Sequence, residues 1–148
     1  MKVIVFLALS LLFSSQTGLS VRQLEFNGSK VNTTFDIDAK FYGKYQGSKQ
    51  GFLQLNSDGS GQYNYDYSGL SKSCSSEIIE FDWGFVVDEN NEIVRFERPY
   101  GYSYPIIYNC SGDNAFQGCT KRTMVDYILV YDNGTITVSS SDDWKKLD

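Results

Sequence analysis

The 148-residue chain has no histidine. That absence excludes Ser-His-Asp and Cys-His catalysis and every histidine-ligated metal site. Basic residues are in deficit: 13 Lys and Arg stand against 18 Asp and Glu, a formal charge of -5. A nucleic-acid binder needs a basic patch to displace counterions, and Lys121-Arg122 is too small to be one. Phosphate-cradling Gly loops followed by Lys-Ser/Thr are missing, as is the Gly-x-Ser-x-Gly elbow of serine hydrolases. Cysteine occurs three times and proline twice. No apolar run beyond the N-terminus is long enough to span a bilayer, so no membrane span is expected. The hydrophobic fraction of 41% is that of an ordinary globular domain, which excludes wholesale disorder. These exclusions leave a single soluble, secreted β domain, with no catalytic, cofactor or metal set.

What is present begins with an export signal. Lys2 gives a short positive start, and Val3 to Phe13 (VIVFLALSLLF) is a continuous apolar run. Residues that are small or polar in the main follow as far as Ser20. This is the pattern of a secretory signal peptide, residues 1–20, with cleavage expected after Ser20. The expected location is extracellular, or periplasmic if the source is bacterial. Cys110 and Cys119 lie close together in a polar segment and can close a small loop in an oxidising compartment. Such a loop would contribute about 2–3 kcal/mol. Cys74 is left over, and three single pairings remain open. Four sequons, at Asn27, Asn32, Asn109 and Asn133, are candidate glycan acceptors.

From residue 40 the chain alternates with period two between turn signals. Residues 40–46 read as a strand with Phe41, Gly43 and Tyr45 on one face. A second strand, 51–56, turns Leu53 and Leu55 inward. Ser57-Asp58-Gly59-Ser60-Gly61 is a strong turn, and 62–67 then puts Tyr63, Tyr65 and Tyr67 together. The clearest alternation is Ile79, Phe81, Trp83, Phe85 and Val87, with Glu80, Asp82 and Asp88 opposite. Glu89-Asn90-Asn91 turns the chain into 92–98, with Val94 and Phe96 read as inward and Pro99 as a stop. Tyr100, Tyr102 and Tyr104 share the next face, leading into Pro105 to Tyr108. Residues 123–131 and 135–140 form a hairpin about Asp132-Asn133-Gly134. Residues 21–37 read as an N-terminal arm and 141–148 as a polar tail. About eight strands joined by short links must pair antiparallel. The expected architecture is all-β, an antiparallel up-and-down barrel, with a β-sandwich as the alternative.

Two short segments carry a resemblance. Phe35-Asp36-Ile37-Asp38-Ala39-Lys40-Phe41-Tyr42-Gly43-Lys44-Tyr45 resembles the opening motif of the lipocalins, where Phe-Asp and Lys-Phe precede a Gly two residues before a Trp. Val125-Asp126-Tyr127 is similar to that family's Thr-Asp-Tyr. Here Tyr45 stands for the Trp, one residue is inserted before Lys40, and Val125 stands for the Thr. The length is closer to the avidin-like members of the same calycin group, because no closing strand or packed C-terminal helix is visible in the sequence. The resemblance implies a small barrel whose floor is plugged by an aromatic residue. No family ligand set carries over to particular residues.

Function candidates follow from the inner face. Tyr45, Tyr63, Tyr65, Phe81, Trp83 and Phe85 are the expected lining for a small, mostly apolar ligand, with tyrosine hydroxyls as the polar groups. The competing expectation is a solid aromatic core, in which case the protein is a secreted interaction, inhibitory or structural glycoprotein. Tyr100, Tyr102 and Tyr104 are then the candidate surface for a protein partner. Glu80 and Asp82 flank Phe81 on the solvent side of an amphipathic strand, which reads as a charged face rather than a glycosidase pair. Asp58 and Asp142-Asp143 match no calcium loop.

Overall fold

The computed structural model describes residues 18–47, 51–64, 78–109, 124–139 and 144–147. The leader up to residue 17, Tyr65, Cys74, Cys110, Cys119 and Asp142-Asp143 lie outside the described residues. Eleven strands form one antiparallel sheet: β1 (Val21–Phe26), β2 (Ser29–Thr34), β3 (Gly43–Gln46), β4 (Phe52–Leu55), β5 (Ser60–Asn64), β6 (Ile78–Val86), β7 (Phe96–Arg98), β8 (Gly101–Asn109), β9 (Met124–Tyr131), β10 (Ile136–Ser139) and β11 (Trp144–Lys146). Eight of them, β3-β4-β5-β6-β8-β9-β10-β11, pair in sequence order, and β11 pairs back onto β3. The result is a closed up-and-down barrel, and β1, β2 and β7 are additions to it.

Local chemistry sets the turns. Asn27 (φ 51°) and Gly28 (φ 77°) make the two-residue link of the β1–β2 hairpin, which needs left-handed backbone at both positions. Asp58 accepts from the Ser60 amide and hydroxyl, and Gly59 (φ 81°) completes that turn. Asp88 accepts from the amides of Asn90 and Glu92 and returns β6. Pro105, which has no N–H to offer, lies in β8 where that strand's edge passes from β7 (Ser103) to β6 (Ile106).

The alternation read in β6 holds throughout. Ile79, Phe81, Trp83, Phe85 and Val87 are all buried, and Glu80 and Asp82 are exposed. Elsewhere the sequence reading needs four corrections. Residues 39–41 are a turn of 3₁₀ helix, because Asp38 caps it by accepting from the Lys40 amide; β3 starts only at Gly43, whose φ of 124° suits glycine. The segment read as an arm contains the β1–β2 hairpin, which continues the edge of β6 where β5 ends, through Thr33↔Val86 and Thr34↔Phe85. Phe96 points outward and is 45% exposed, because Ile93 makes the bridge to Val87 and packs on the core in its place. The segment read as a polar tail contains β11, whose Trp144 is 7% exposed and closes the ring. At three residues β11 is too short for alternation to reveal it, so only the indole marks it as buried.

Candidate functional site

The two ends of the barrel differ. At the near end, the links between strands are 35–42, 56–59, 87–100 and 132–135. Here the interior is filled by rings. Phe41, on the 3₁₀ turn, meets Phe85 edge-on at 5.2 Å and Tyr104 at 5.4 Å between centroids, and Phe85 stacks on Tyr104 at 5.4 Å. Trp83 meets Phe85 at 6.1 Å and Tyr42 at 6.2 Å. Such offset and edge contacts are the favoured arrangement of aromatic pairs. The polar atoms of this plug are satisfied. The Trp83 indole N–H donates to Ser60 O at 2.8 Å, the Tyr42 hydroxyl to Phe35 O at 2.8 Å, and the Tyr45 hydroxyl to Phe41 O at 2.7 Å. Tyr45 therefore ties β3 to the 3₁₀ turn, the place at which the lipocalin motif has its Trp. Outside the plug, Arg22 of β1 donates to Gly59 O and Trp83 O, both at 2.6 Å, and lies 4.8 Å over the Phe35 ring.

At the far end the strand links are 47–51, 65–77, 110–123 and 140–143, and of these only Gly47 and Gly51 are described. Trp144 covers both glycines; a Cβ on Gly51 would lie 2.8 Å from its ring and 2.4 Å from Asn64 O. The inner face here carries Tyr63, Phe81 and Tyr108. Phe81 meets Tyr108 at 5.1 Å and Tyr63 at 5.9 Å. Gly61 makes room for the Phe81 ring, since a Cβ there would fall 2.3 Å from it. Tyr63 is half-buried, whereas Tyr108 is buried.

Tyr108 is the unusual group of this end. Its hydroxyl is buried and has no hydrogen-bond partner among the described residues. Asp126 of β9 registers with Ile106, so its side chain issues on the same inner face as Ile106 and Tyr108. Burial pushes the Tyr108 phenol well above the usual tyrosine value, and the charges of Asp126 and then Tyr45 add to that. Tyr108 therefore stays protonated and is a hydrogen-bond donor.

The residues named from sequence thus divide. Tyr45, Trp83 and Phe85 belong to the plug or its anchor, Phe81 and Tyr63 to the far end, and Tyr65 lies outside the described residues. Tyr108 and Asp126 were missed as a pair. Their signal was present: Asp126 interrupts an otherwise apolar inner face that includes Ile128 and Val130. The tyrosine ladder also divides. Tyr104 joins the plug, Tyr102 lies under Arg95 at 4.3 Å, and Tyr100 is 74% exposed.

Glu80 and Asp82 border a shallow outer cleft of about 290 Å³ with Asn56, Ser60 and Gln62. Asp82 lies 3.6 Å from Arg22. Among the described residues no three acidic or thiol side chains gather to hold a metal, and no helix is long and apolar enough to cross a membrane. Comparison with protein-family models, with curated proteins and with solved structures finds no match. The architecture itself, a closed antiparallel eight-strand barrel, is consistent with a calycin-like barrel.

Proposed function

We propose that the protein is a secreted carrier or scavenger of a small, mostly apolar molecule. The ligand is held inside the far end of the barrel against Tyr63, Phe81 and Tyr108. One observation carries the reading. A buried hydroxyl left without a partner costs about 1–3 kcal/mol, and Tyr108 has such a hydroxyl on the inner face. A ligand oxygen or nitrogen would satisfy it. The plugged near end gives the barrel a rigid floor, as a pocket with one entrance needs. Export rests on the leader read over residues 1–20 and on sequons at exposed hairpin tips, Asn27 and Asn133. The reading assigns no catalytic step to the chain.

Titration with the neutral fluorophore N-phenylnaphthylamine tests it. Saturable one-to-one uptake, with chemical-shift changes at Phe81 and Tyr108, is expected. No saturable uptake of this or any other apolar probe would remove the proposal.

A second reading is favoured by a separate observation. Phe96, Tyr127 and Tyr131 are exposed on the outer face of β7-β8-β9, and the Arg98 guanidinium lies about 6 Å from two of those rings. Exposed Tyr, Phe and Arg are the residues of protein interfaces. In that reading the protein is an interaction glycoprotein whose filled core has no ligand role. Shifts confined to Phe96, Tyr127 and Tyr131 on adding a partner would favour it.

A further inference from the structure

The outer face of β7-β8-β9 is arranged around one guanidinium. Phe96 and Arg98 of β7 lie opposite Ser103 and Gly101 of β8, and Tyr127 of β9 lies opposite Pro105. Residues opposite one another share a face, so these side chains all issue outward, away from Tyr104 in the plug. The residues that β8 turns to this face, Gly101, Ser103 and Pro105, are small and buried. With nothing large between them, Phe96 and Tyr127 lean together across β8 to 6.5 Å between centroids. The Arg98 guanidinium completes the group, 6.0 Å from the Phe96 ring and 5.9 Å from the Tyr127 ring. Its Nε donates to the Ser103 hydroxyl at 2.9 Å, and Ser103 is fully buried. The cation is therefore fixed on the strand, while Phe96, Arg98 and Tyr127 all remain exposed.

We infer that this face docks an acidic segment of a protein partner, with an Asp or Glu carboxylate seated on the Arg98 guanidinium and apolar side chains beside it on Phe96 and Tyr127. The inference rests on the interface reading of this face and is independent of the ligand-binding one. The charge left open at Arg98 carries it. Arg22 and Arg95 each have a carboxylate, Asp82 at 3.6 Å and Glu97 at 3.5 Å. Arg98 has none among the described residues, although the chain as a whole has a formal charge of -5. Glu97, its neighbour in β7, lies opposite Tyr102 on the other face, where Arg95 holds it. A guanidinium donates from Nε and from both terminal NH₂ groups. The bond to Ser103 uses Nε, and the terminal pair, which meets a carboxylate as a fork, has no acceptor among the described residues. With Nε held and two rings alongside, docking orders little that is not already ordered. A partner that covers the rings also removes water from the ion pair, which strengthens it. Polyanions and anionic membranes bind through many cations at once, whereas this group offers a single open guanidinium.

Panning a phage-displayed random dodecapeptide library on the full chain tests it. Recovered peptides are synthesised as found and again with every Asp and Glu replaced by Asn and Gln. Both forms are titrated by fluorescence anisotropy into the wild type, R98K, R98Q, F96A and Y127A, each checked for fold by circular dichroism. Phosphatidylserine vesicles are the alternative target. The recovered peptides are expected to carry an acidic residue beside apolar ones and to bind F96A and Y127A more weakly. The amide exchange should weaken binding to the wild type by about tenfold. On R98Q the same exchange should change little, and R98K, which keeps the charge without the fork, should restore only part of the loss. Amide forms that bind the wild type as well as the acidic forms overturn the inference, and that comparison needs no variant to fold. Arg98-dependent binding to the vesicles, with no acidic peptide recovered, also overturns it. Recovery of no peptide that responds to F96A or Y127A is a different outcome, since it removes the interface reading itself and the inference with it.

Discussion

Replacing Trp144 with alanine attacks the last seam of the ring. β11 is three residues long and holds the barrel closed through Val138↔Trp144 and Thr137↔Lys145 on one side, and Lys145↔Gln46 and Lys146↔Tyr45 on the other. So short a strand cannot hold its place by ladder bonds alone. Its anchor is the Trp144 indole, 7% exposed, lying over Gly47 and Gly51 where β3 turns into β4. Removing a buried Trp side chain costs about 3–5 kcal/mol, as lost transfer energy plus the cavity left behind. Unfolding entropy for a domain of roughly 130 residues is about 0.27 kcal/mol/K, so Tm should fall by about 11–18 °C. Natural domains hold only about 5–15 kcal/mol in total, so the variant would sit close to its threshold. Leu147→Ala is the control. That side chain is 44% exposed, so its loss should cost no more than about 0.5 kcal/mol. Thermal and urea melts followed by circular dichroism measure both. A Trp144→Ala variant within about 1 kcal/mol of wild type, matching the control, would mean that these residues are a tail and that the ring closes some other way.

Three further outcomes follow from the same contacts. Tyr108→Phe removes an orphaned buried hydroxyl, so the protein should be as stable as wild type or up to about 1 kcal/mol more stable; a loss above about 1 kcal/mol in urea melts would show that the hydroxyl has a structural partner. Arg22→Met severs the bonds to Gly59 O and Trp83 O, and should cost about 2 kcal/mol and raise amide exchange across β1 and β2 before the barrel strands; uniform exchange would contradict a separately tethered hairpin. Burial raises the phenols of Tyr45 and Tyr108 above the ordinary value of 10.0. They bind their protons more tightly folded than unfolded. Their contribution is whole below about pH 10 and is lost as the pH climbs through the folded values. Ultraviolet titration should show these two ionising after the exposed tyrosines, together with unfolding; ionisation of all tyrosines in a single step would contradict their burial.

Much of the ring was legible in the sequence. β6 showed itself because five inner residues alternate without interruption, and the turns at Asp58-Gly59, Asp88 and Asn133-Gly134 showed themselves through residues whose backbone or side chains dictate them. What was hidden was set by tertiary contact. Phe96 and Ile93 are both plausible inward residues, and only the bridge Val87↔Ile93 decides between them. The β1–β2 hairpin fully buries one apolar residue, Leu24, beside the polar Thr33 and Thr34, and leans on Arg22, so its hydrophobic alternation is weak. For the site, the inner face was readable but its division was not. Trp83 and Phe85 join the ring cluster of the near end because Phe41 and Tyr104 converge on Phe85, and Tyr42 on Trp83, from distant parts of the chain. Tyr108 and Asp126 come together only through the β8–β9 register.

The most direct test of the account is where an apolar molecule sits. Intermolecular nuclear Overhauser effects in the N-phenylnaphthylamine complex, on protein with labelled aromatic side chains, locate it. The account predicts contacts from the probe to Tyr63, Phe81 and Tyr108, and none to Phe85 or Tyr104 in the plug. Contacts to Phe96, Tyr127 and Tyr131 on the outer face, with the inner rings silent, would contradict it.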